Sequence, residues 1–334
     1  MSIEIEVFDR NDRDRWNQLV EDSPQGTPFH RYEALEVLAD HSDANLHPLV
    51  GYKGQEPVGL FPVFGMYKGP VAAAFSPPPD LKVSYLGPAL VNFEQLKRRR
   101  AERRHSRFVE QCLDVLETEL NPKFTLVRAS PWYDDPRPFT WSDFDVQLAH
   151  TYVVDLSPGR DDLLSQFSSD ARRNVTNDPD ADVVIREDGA GVIRRIIEQV
   201  RERHREQDES FLLSAEMVTE LFERLPDGVV RPYACTVDGR FAGGVVVLDD
   251  GDTVYRWQGG AKPDTRVAIN DRLDWRIITD AIDRGRTEYD LVGANNQRLC
   301  GYKAKFAPDL QTYYSIRDGT RSMNFVSGLY KQLR

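Results

Sequence analysis

The sequence lacks the features of a membrane-spanning, secreted or disulfide-bonded protein. No apolar run reaches the roughly eighteen residues that a transmembrane helix needs. The N-terminus has neither a basic head nor a long apolar stretch, so no signal peptide is predicted and a cytoplasmic location is expected. Three cysteines, Cys112, Cys235 and Cys300, are far apart and form no Cys-x-x-Cys pair. They predict neither a disulfide framework nor a zinc site, and no metal centre is expected.

Lysine is scarce, and acidic residues outnumber basic ones. The 54 Asp and Glu residues exceed the 43 Lys and Arg residues, which gives a formal net charge of −11. A salt-loving source organism and a GC-rich genome both account for an acidic, arginine-rich composition. Such a charge speaks against a general nucleic-acid binder. One basic run, Lys97–Arg100 with Arg103, Arg104 and Arg107, could contact RNA or an anionic headgroup, or could be a solvated helix face.

The length of 334 residues and the order of the elements predict two mixed α/β domains. Each half repeats a helix pair, antiparallel strands, a helix and a strand. Turn residues such as Asp238-Gly239 predict hairpins, and Gly285 ends a helix over 268–284. The domain boundaries are predicted at 1–150 and 151–334. A long helix over 95–120 is predicted in the first half, a helix over 163–176 in the second, and a helix over 323–333 at the end of the chain. Cys300 is expected in a loop.

Three stretches of the second half carry a resemblance to a known family. The first is Ser-Ser-Asp-Ala-Arg-Arg-Asn-Val at 168–175 before the strand at 183–185. The second is Tyr-Arg-Trp-Gln-Gly-Gly-Ala at 255–261 before Leu-Asp-Trp-Arg-Ile-Ile at 273–278. The third is Tyr-Asp-Leu-Val-Gly at 289–293 before Tyr-Lys-Ala-Lys-Phe-Ala at 302–307. Their order and spacing resemble the Fem-type aminoacyl transferases. Tyr302 replaces the family's Phe, Ala307 its Gly, and Ala261 a frequent Ser.

The resemblance implies two tandem domains of the GNAT acyltransferase type, each a mixed, mainly antiparallel sheet flanked by helices. It also implies transfer of an acyl or aminoacyl group to an amine on a small molecule, a glycan or a peptide. The composition would suit a haloarchaeal member, for which a cell-wall peptide acceptor is not carried over. The donor would be aminoacyl-tRNA or a coenzyme A thioester, with no resident cofactor. Arg298-Leu299-Cys300-Gly301 covers only half of the phosphate-loop pattern that coenzyme A binding uses.

Three residues are predicted to be catalytic. Lys303 matches the family's lysine, which contacts phosphate or the reacting carbonyl; the alternative is a solvated loop lysine. Asp290 ends a strand, where it could position or deprotonate the amine, or could cap the next turn. Tyr255 could donate to the carbonyl oxygen, or could pack in the core with Trp257. The sequence has no Gly-x-Ser-x-Gly or His-Glu-x-x-His motif, which fits direct transfer without a covalent enzyme intermediate.

Five further residues are predicted to bind substrate: Trp257, Lys305, Arg203, Arg205 and His30. The two arginines could clamp a phosphate or could stabilise the dipole at the end of a helix. His30 precedes a helix and could line a groove or act as a cap. Two other functions stay open: a binding module that kept the fold without the chemistry, and an amino-sugar N-acyltransferase of polysaccharide or lipid assembly.

Overall fold

A computed structural model describes residues 2–262 and 267–319, and the helix predicted over 323–333 lies outside them. Contacts divide the described chain into two compact units, residues 2–149 with 312–319, and residues 150–311. The strand at the end of the described chain therefore groups with the first unit.

The first unit is a mixed sheet with helices against it. Its helices are α1 (Arg13–Glu21), α2 (Tyr32–Asp40), α3 (Arg98–Glu119) and α4 (Arg137–Trp141). Its strands are β1 (Glu4–Val7), β2 (Asn45–Lys53), β3 (Glu56–Lys68), β4 (Val71–Ser76), β5 (Ala89–Leu90), β6 (Phe124–Arg128) and, from the end of the chain, β13 (Asp309–Gly319). They pair in the order β1-β2-β3-β4-β6-β13, with β5 on β3; only β4 and β6 are parallel.

Helix α3 covers this sheet with one apolar face. Phe108, Cys112 and Leu116 recur at helical spacing and are buried in the first core. Gly51 and Gly59 on the neighbouring strands leave room for the Phe108 ring, because an added Cβ would lie 2.5 Å and 3.0 Å from it. The long helix is therefore confirmed, although it starts at Arg98 rather than at residue 95.

The second unit repeats the mixed architecture. Its strands are β7 (Asp145–Asp155), β8 (Val183–Glu187), β9 (Val230–Val237), β10 (Arg240–Asp250), β11 (Thr253–Ala261) and β12 (Glu288–Asp290). Its helices are α5 (Arg160–Gln166), α6 (Ser169–Thr176), α7 (Ala190–Arg205), α8 (Ala215–Arg224), α9 (Ile269–Asp283) and α10 (Gln297–Lys303). The strand order is β7-β12-β11-β10-β9-β8, antiparallel except for the β11–β12 pair. The predicted fold class is confirmed.

Two local predictions in this unit are wrong. The helix expected over 163–176 is broken, because Phe167 is extended and buries its ring against Trp275 and Phe306. Ser168 then caps α6 by accepting from the amide of Ala171. Cys300, expected in a loop, lies inside α10.

Helix α9 anchors the sheet of the second unit. Leu273, Ile277, Ile278 and Ala281 are fully buried on one face of this helix. Asp274 lies among them and is also fully buried. The helix ends before Gly285, at φ +76°, as predicted. This helix therefore carries a carboxylate into the core beside the ends of β11 and β12.

Candidate functional site

The candidate site lies where β12 ends beside its parallel partner β11. Asp290 is the last residue of β12 and is in register with Tyr255 of β11. In α/β sheets the carboxyl ends of parallel strands commonly face the ligand crevice. The strand pairing therefore brings two of the three predicted catalytic residues side by side.

The turn after β12 is held in an unusual backbone conformation. Val292 has φ +52°, a left-handed value that is costly for a β-branched residue, and Gly293 follows at φ +88°. One oxygen of Asp290 accepts from the Thr151 hydroxyl at 2.6 Å and from the amide of Val292 at 2.7 Å. The Thr151 oxygen accepts from the amide of Gly293 at 2.9 Å. Asp290 thus makes the turn-capping contact that the sequence left as an alternative, and its role in the reaction stays a prediction.

Lys303 closes the other side of this turn. Its Nζ donates to the carbonyl oxygens of Val292 and Gly293 at 2.9 Å and 2.7 Å, and the residue is 8 % exposed. Burial, with Arg256 nearby, lowers the pKa of Lys303 to about 8, although Asp290 acts to raise it. Within residues 2–262 and 267–319 the ammonium has no third acceptor. Lys303 is therefore a buried cation with one hydrogen-bonding position left for a ligand.

Asp274 of α9 joins the elements around this turn. Its carboxylate accepts from Arg256 Nε at 2.6 Å and from the hydroxyls of Tyr289 and Tyr302, the former at 2.7 Å. Burial, and then Asp274, raise the pKa of both tyrosines well above its usual value, so both phenols donate. One carboxylate thus fixes side chains from β11, β12 and α10.

Tyr302 and Ala307 differ from the Fem-type pattern that the sequence resembles. The contacts of Asp274 explain the first difference, and the second lies at a residue with an unusual backbone conformation. The hydroxyl that Tyr302 has and Phe lacks finds its acceptor in Asp274. Ala307 has φ +51°, a left-handed conformation that glycine adopts more easily. Ala307 therefore occupies a backbone conformation that suits glycine better than alanine.

Tyr255 and Trp257 are both buried in β11, at 6 % and 5 % exposure. Burial, followed by the charge of Asp290, raises the pKa of Tyr255 well above its usual value, so the phenol keeps its proton. The register between β10 and β11 shifts after Tyr255, and strict alternation of faces is not kept there. Their proposed contacts with substrate stay predictions.

Lys305 is held in ion pairs. Its Nζ lies 3.1 Å from Asp170 of α6 and 3.2 Å from Asp271 of α9. Burial lowers the pKa of Lys305, but the two carboxylates outweigh it and the net change is upward. The side chain therefore links two helices, and substrate binding by it stays a prediction that these contacts do not support.

Arg203 and Arg205, both at the end of α7, have different surroundings. Arg203 is half-buried, and burial together with Arg256 and Arg298 lowers its pKa. Arg205 is exposed at the last position of the helix, where a cation stabilises the helix dipole. Only Arg203 adjoins the residues around Lys303.

His30 belongs to the first unit and is fully buried there. Its Nδ1 lies 3.1 Å from the amide of Thr27, and its Nε2 lies 3.2 Å from the carbonyl oxygen of Gly87. Burial lowers the pKa of His30 to about 4. Nδ1 is engaged in a capping box with Thr27 and Nε2 with the Gly87 carbonyl, so these contacts do not support the predicted role in substrate binding.

The basic run on α3 is partly neutralised. Arg104 is buried and lies 2.7 Å from Glu56, and Arg98 lies 2.8 Å from Glu102. Arg99, Arg100 and Arg103 are exposed and form no salt bridge in the part of the chain that the structure describes, although the charge of Arg100 helps to lower the pKa of Glu56. A peripheral contact of this run with a polyanion stays a prediction.

The half-match to a phosphate loop lies within α10. The amides of Arg298 and Leu299 bond the Asn296 side chain, and the amide of Cys300 bonds the Asn296 carbonyl. A diphosphate cradle needs free amides in a loop. This segment therefore does not fit coenzyme A in the way its pattern suggested.

Several residues of the site were not predicted from the sequence. Asp274 was noted only within the Leu-Asp-Trp motif, and Thr151 only at the start of the second half. An acidic residue on the apolar face of α9 was the available signal, because buried carboxylates need donors. Thr151 gave no signal, since its partners are 139 and 142 positions away in sequence.

Most of the site residues lie in a segment that matches a known family model. Residues 166–304 match the family model "Acetyltransferase (GNAT) domain", a segment that includes Tyr255, Asp290 and Lys303 but ends before Lys305. The matched segment spans less than half of the chain. No curated protein matches the sequence.

Solved structures share the fold over nearly the whole chain. FemX is similar with a TM-score of 0.71 at 10% identity, over 93% of this chain and 96% of that one. L-PGS from Bacillus licheniformis has a TM-score of 0.58 at 10% identity, over 98% of both chains. A tandem GNAT protein from the clavulanic acid biosynthesis pathway has a TM-score of 0.50 at 12% identity, over 95% and 98%. At these identities the likeness concerns the fold.

The described residues include no helix with the length and apolar character to cross a bilayer. They also contain no group of three or more His, Cys, Asp or Glu side chains arranged to hold a metal ion.

Proposed function

We propose that the protein is an N-acyltransferase that moves an acyl or aminoacyl group from an activated donor to an amine. The supporting observation is Lys303, a buried ammonium with two carbonyl contacts and one position left within the described residues. Its place inside the segment that matches the GNAT model agrees with this proposal. The donor is an aminoacyl-tRNA or an acyl-CoA thioester.

The reaction is a direct displacement. The neutral amine attacks the acyl carbonyl carbon, and the carbonyl electrons move to oxygen. Collapse of this intermediate breaks the bond to the ester oxygen or thioester sulfur of the donor, which leaves with the bonding electrons. The proton lost by the amine nitrogen passes to that leaving atom or to solvent, which releases the donor as an alcohol or a thiol. No enzyme nucleophile is needed.

Lys303 stabilises the oxyanion in this scheme. Its two carbonyl contacts fix the ammonium before substrate arrives, so the remaining N–H donates to the developing charge without reorganisation. A single donor of this kind contributes about 3 to 4 kcal/mol to transition-state stabilisation. Tyr255 stays protonated beside Asp290 and is the second proposed donor, while Asp290 holds the turn and positions the amine.

The first test is a thermal-shift panel of acyl-CoAs and charged tRNAs, followed by mass spectrometry of amine products with the donor that binds. A donor that binds the folded state raises the melting temperature by mass action. We expect Lys303→Ala to lower kcat about 100-fold or more while the melting temperature stays within a few degrees. Unchanged turnover in this variant would remove Lys303 from the reaction.

The pH profile separates an oxyanion donor from a base. Since the pKa of Lys303 in the ligand-free protein is about 8, the ammonium is lost above that pH, and a donor role predicts falling kcat/KM there. Lys303→Arg keeps its charge, so its descending limb moves to higher pH. A rate that instead rises to a plateau near pH 8 in the native protein, and loses this step in Lys303→Arg, would assign Lys303 as the base.

A further inference from the structure

Three arginines from separate elements lie close enough to affect one another's charge, and one of them, Arg256, also acts on Lys303. Arg203 comes from α7, Arg256 from β11 and Arg298 from α10. We infer that Arg203, Arg256 and Arg298 form a subsite for a phosphate group of the substrate. The inference rests on the proposed function, because it makes the phosphate-bearing molecule a substrate of the transferase.

The guanidinium groups of Arg203 and Arg256 meet above Gly260. A Cβ built on that glycine would lie 3.2 Å from Arg203 Nη1 and 3.8 Å from Arg256 Nη2, so the two nitrogens are no more than 7.0 Å apart. Gly260 has φ +131°, which only glycine adopts easily. The glycine therefore lets the two guanidinium groups approach the strand closely, beside Asn270 Oδ1, which lies 3.2 Å from the same Cβ position.

Arg203 has no counter-ion of its own within residues 2–262 and 267–319. The acids nearest to it in sequence, Glu202 of α7 and Glu206 directly after that helix, lie 3.6 Å and 2.7 Å from Lys262. Its electrostatic neighbours are Arg256 and Arg298, and both oppose its charge. A half-buried guanidinium among like charges is unfavourable unless an anion binds.

The other two arginines are partly engaged, each in a way that leaves donors. Arg256 donates its Nε–H to the carboxylate of Asp274, while its Nη2 is the atom that lies near Gly260. Arg298 is exposed, and its Nη2 donates a hydrogen bond to Gln207 Oε1 at 3.2 Å. Each guanidinium carries five N–H donors, so several remain for a ligand.

A phosphate fits this arrangement better than a carboxylate. A phosphate monoester carries close to two negative charges and three acceptor oxygens, and guanidinium forks bind such oxygens in pairs. A carboxylate carries one charge and two oxygens, enough for one arginine. Three converging guanidinium groups therefore match the larger, more highly charged anion.

The test is calorimetric titration of the full-length protein with inorganic pyrophosphate, adenosine 3′,5′-bisphosphate and succinate at low and high salt. We expect both phosphate compounds to bind, more weakly at high salt, and succinate to bind at least 10-fold more weakly. Arg203→Gln and Arg298→Gln should each raise Kd about 10-fold or more. Arg195→Gln is the matched control, because this exposed arginine of α7 stacks on Phe241 elsewhere on the helix and should change Kd less than 2-fold.

Three results would overturn the subsite: no pyrophosphate binding at millimolar concentration, equal binding of succinate, or equal losses in Arg195→Gln and Arg203→Gln. Arg298 is exposed, so its substitution tests the subsite even if Arg203→Gln impairs folding. The titration needs no turnover, which keeps this inference separable from the proposed function. Acyl transfer without pyrophosphate binding would remove the subsite alone. Pyrophosphate binding that depends on Arg203, in a protein without transferase activity, would remove the proposed function alone.

Discussion

The carboxylate of Asp274 provides the most direct test of how the site is held together. Asp274 is fully buried, and its partner Arg256 is only 12% exposed. Replacing Asp274 by Asn keeps the shape and removes the charge, so the guanidinium of Arg256 stays buried without compensation. Breaking a buried ion pair on one side costs about 3 to 5 kcal/mol. We therefore expect Asp274→Asn to lower the free energy of unfolding by about that amount.

The same helix supplies the control. Asp280 pairs with Arg276 one turn away at 2.9 Å, but Arg276 is 48% exposed. An exposed pair at this spacing contributes about 0.3 to 0.5 kcal/mol, so Asp280→Asn should change stability by less than 1 kcal/mol. Both variants change one charge in α9, and they differ in burial.

Urea unfolding followed by circular dichroism measures both variants. The double variant Asp274→Asn with Arg256→Gln should lose less stability than the two single losses together, because the unpaired cation is gone. If Asp274→Asn and Asp280→Asn differ by less than 1 kcal/mol, the carboxylate does not hold the site and the reasoning is refuted.

Three further predictions concern stability. His30 and His105 are buried with pKa values lowered to about 4, whereas the unfolded chain protonates near 6.5, so stability falls below pH 6.5. Between pH 7 and pH 5 each histidine lowers the free energy of unfolding by about 2 kcal/mol. In urea unfolding at several pH values, His105→Gln should remove half of this combined loss. An unchanged dependence of stability on pH in that variant would contradict the prediction. Ala307→Gly should raise the melting temperature slightly, because φ is +51° there and relief of left-handed strain is worth up to about 1 kcal/mol; a lower melting temperature would count against it. A Cβ on Gly244 would lie 2.5 Å from a carbonyl oxygen of β9, so Gly244→Ala should cost about 1 to 3 kcal/mol, while Gly191→Ala, with open space around it, should not destabilise; equal losses would refute the packing argument.

Local signals explain which features the sequence predicts well. The hairpin at Asp238-Gly239 has both residues at positive φ, +49° and +72°, as turn chemistry requires. Gly285 ends α9 for the same local reason. Lys303 is predicted to be catalytic from its place in a motif and from the scarcity of lysine, and in the structure burial lowers its pKa. Such features depend on a few neighbouring residues, so they can be predicted from the sequence without knowledge of the fold.

Features that depend on residues far apart in the chain could not be predicted from the sequence. Asp274 is 15 positions from Tyr289 and 28 from Tyr302, and only the packing of α9 against the sheet brings them together. The break at Phe167 is another case, because helical propensity continues there while burial of the ring against Trp275 decides the backbone. Tertiary packing overrides a local preference at both places.

The turn after β12 connects the proposed chemistry to the fold. Val292 is held at φ +52° by the Asp290 carboxylate on one side and by the Lys303 ammonium on the other. A strained backbone persists only where its surroundings hold it, so the contacts that stabilise the turn also fix the cation. Removing Lys303 should therefore both lower the rate and loosen the turn. Lys303→Arg, which keeps the charge, distinguishes these effects: restored rate with a still-loosened turn in hydrogen exchange would show that the charge, rather than the rigid turn, carries catalysis.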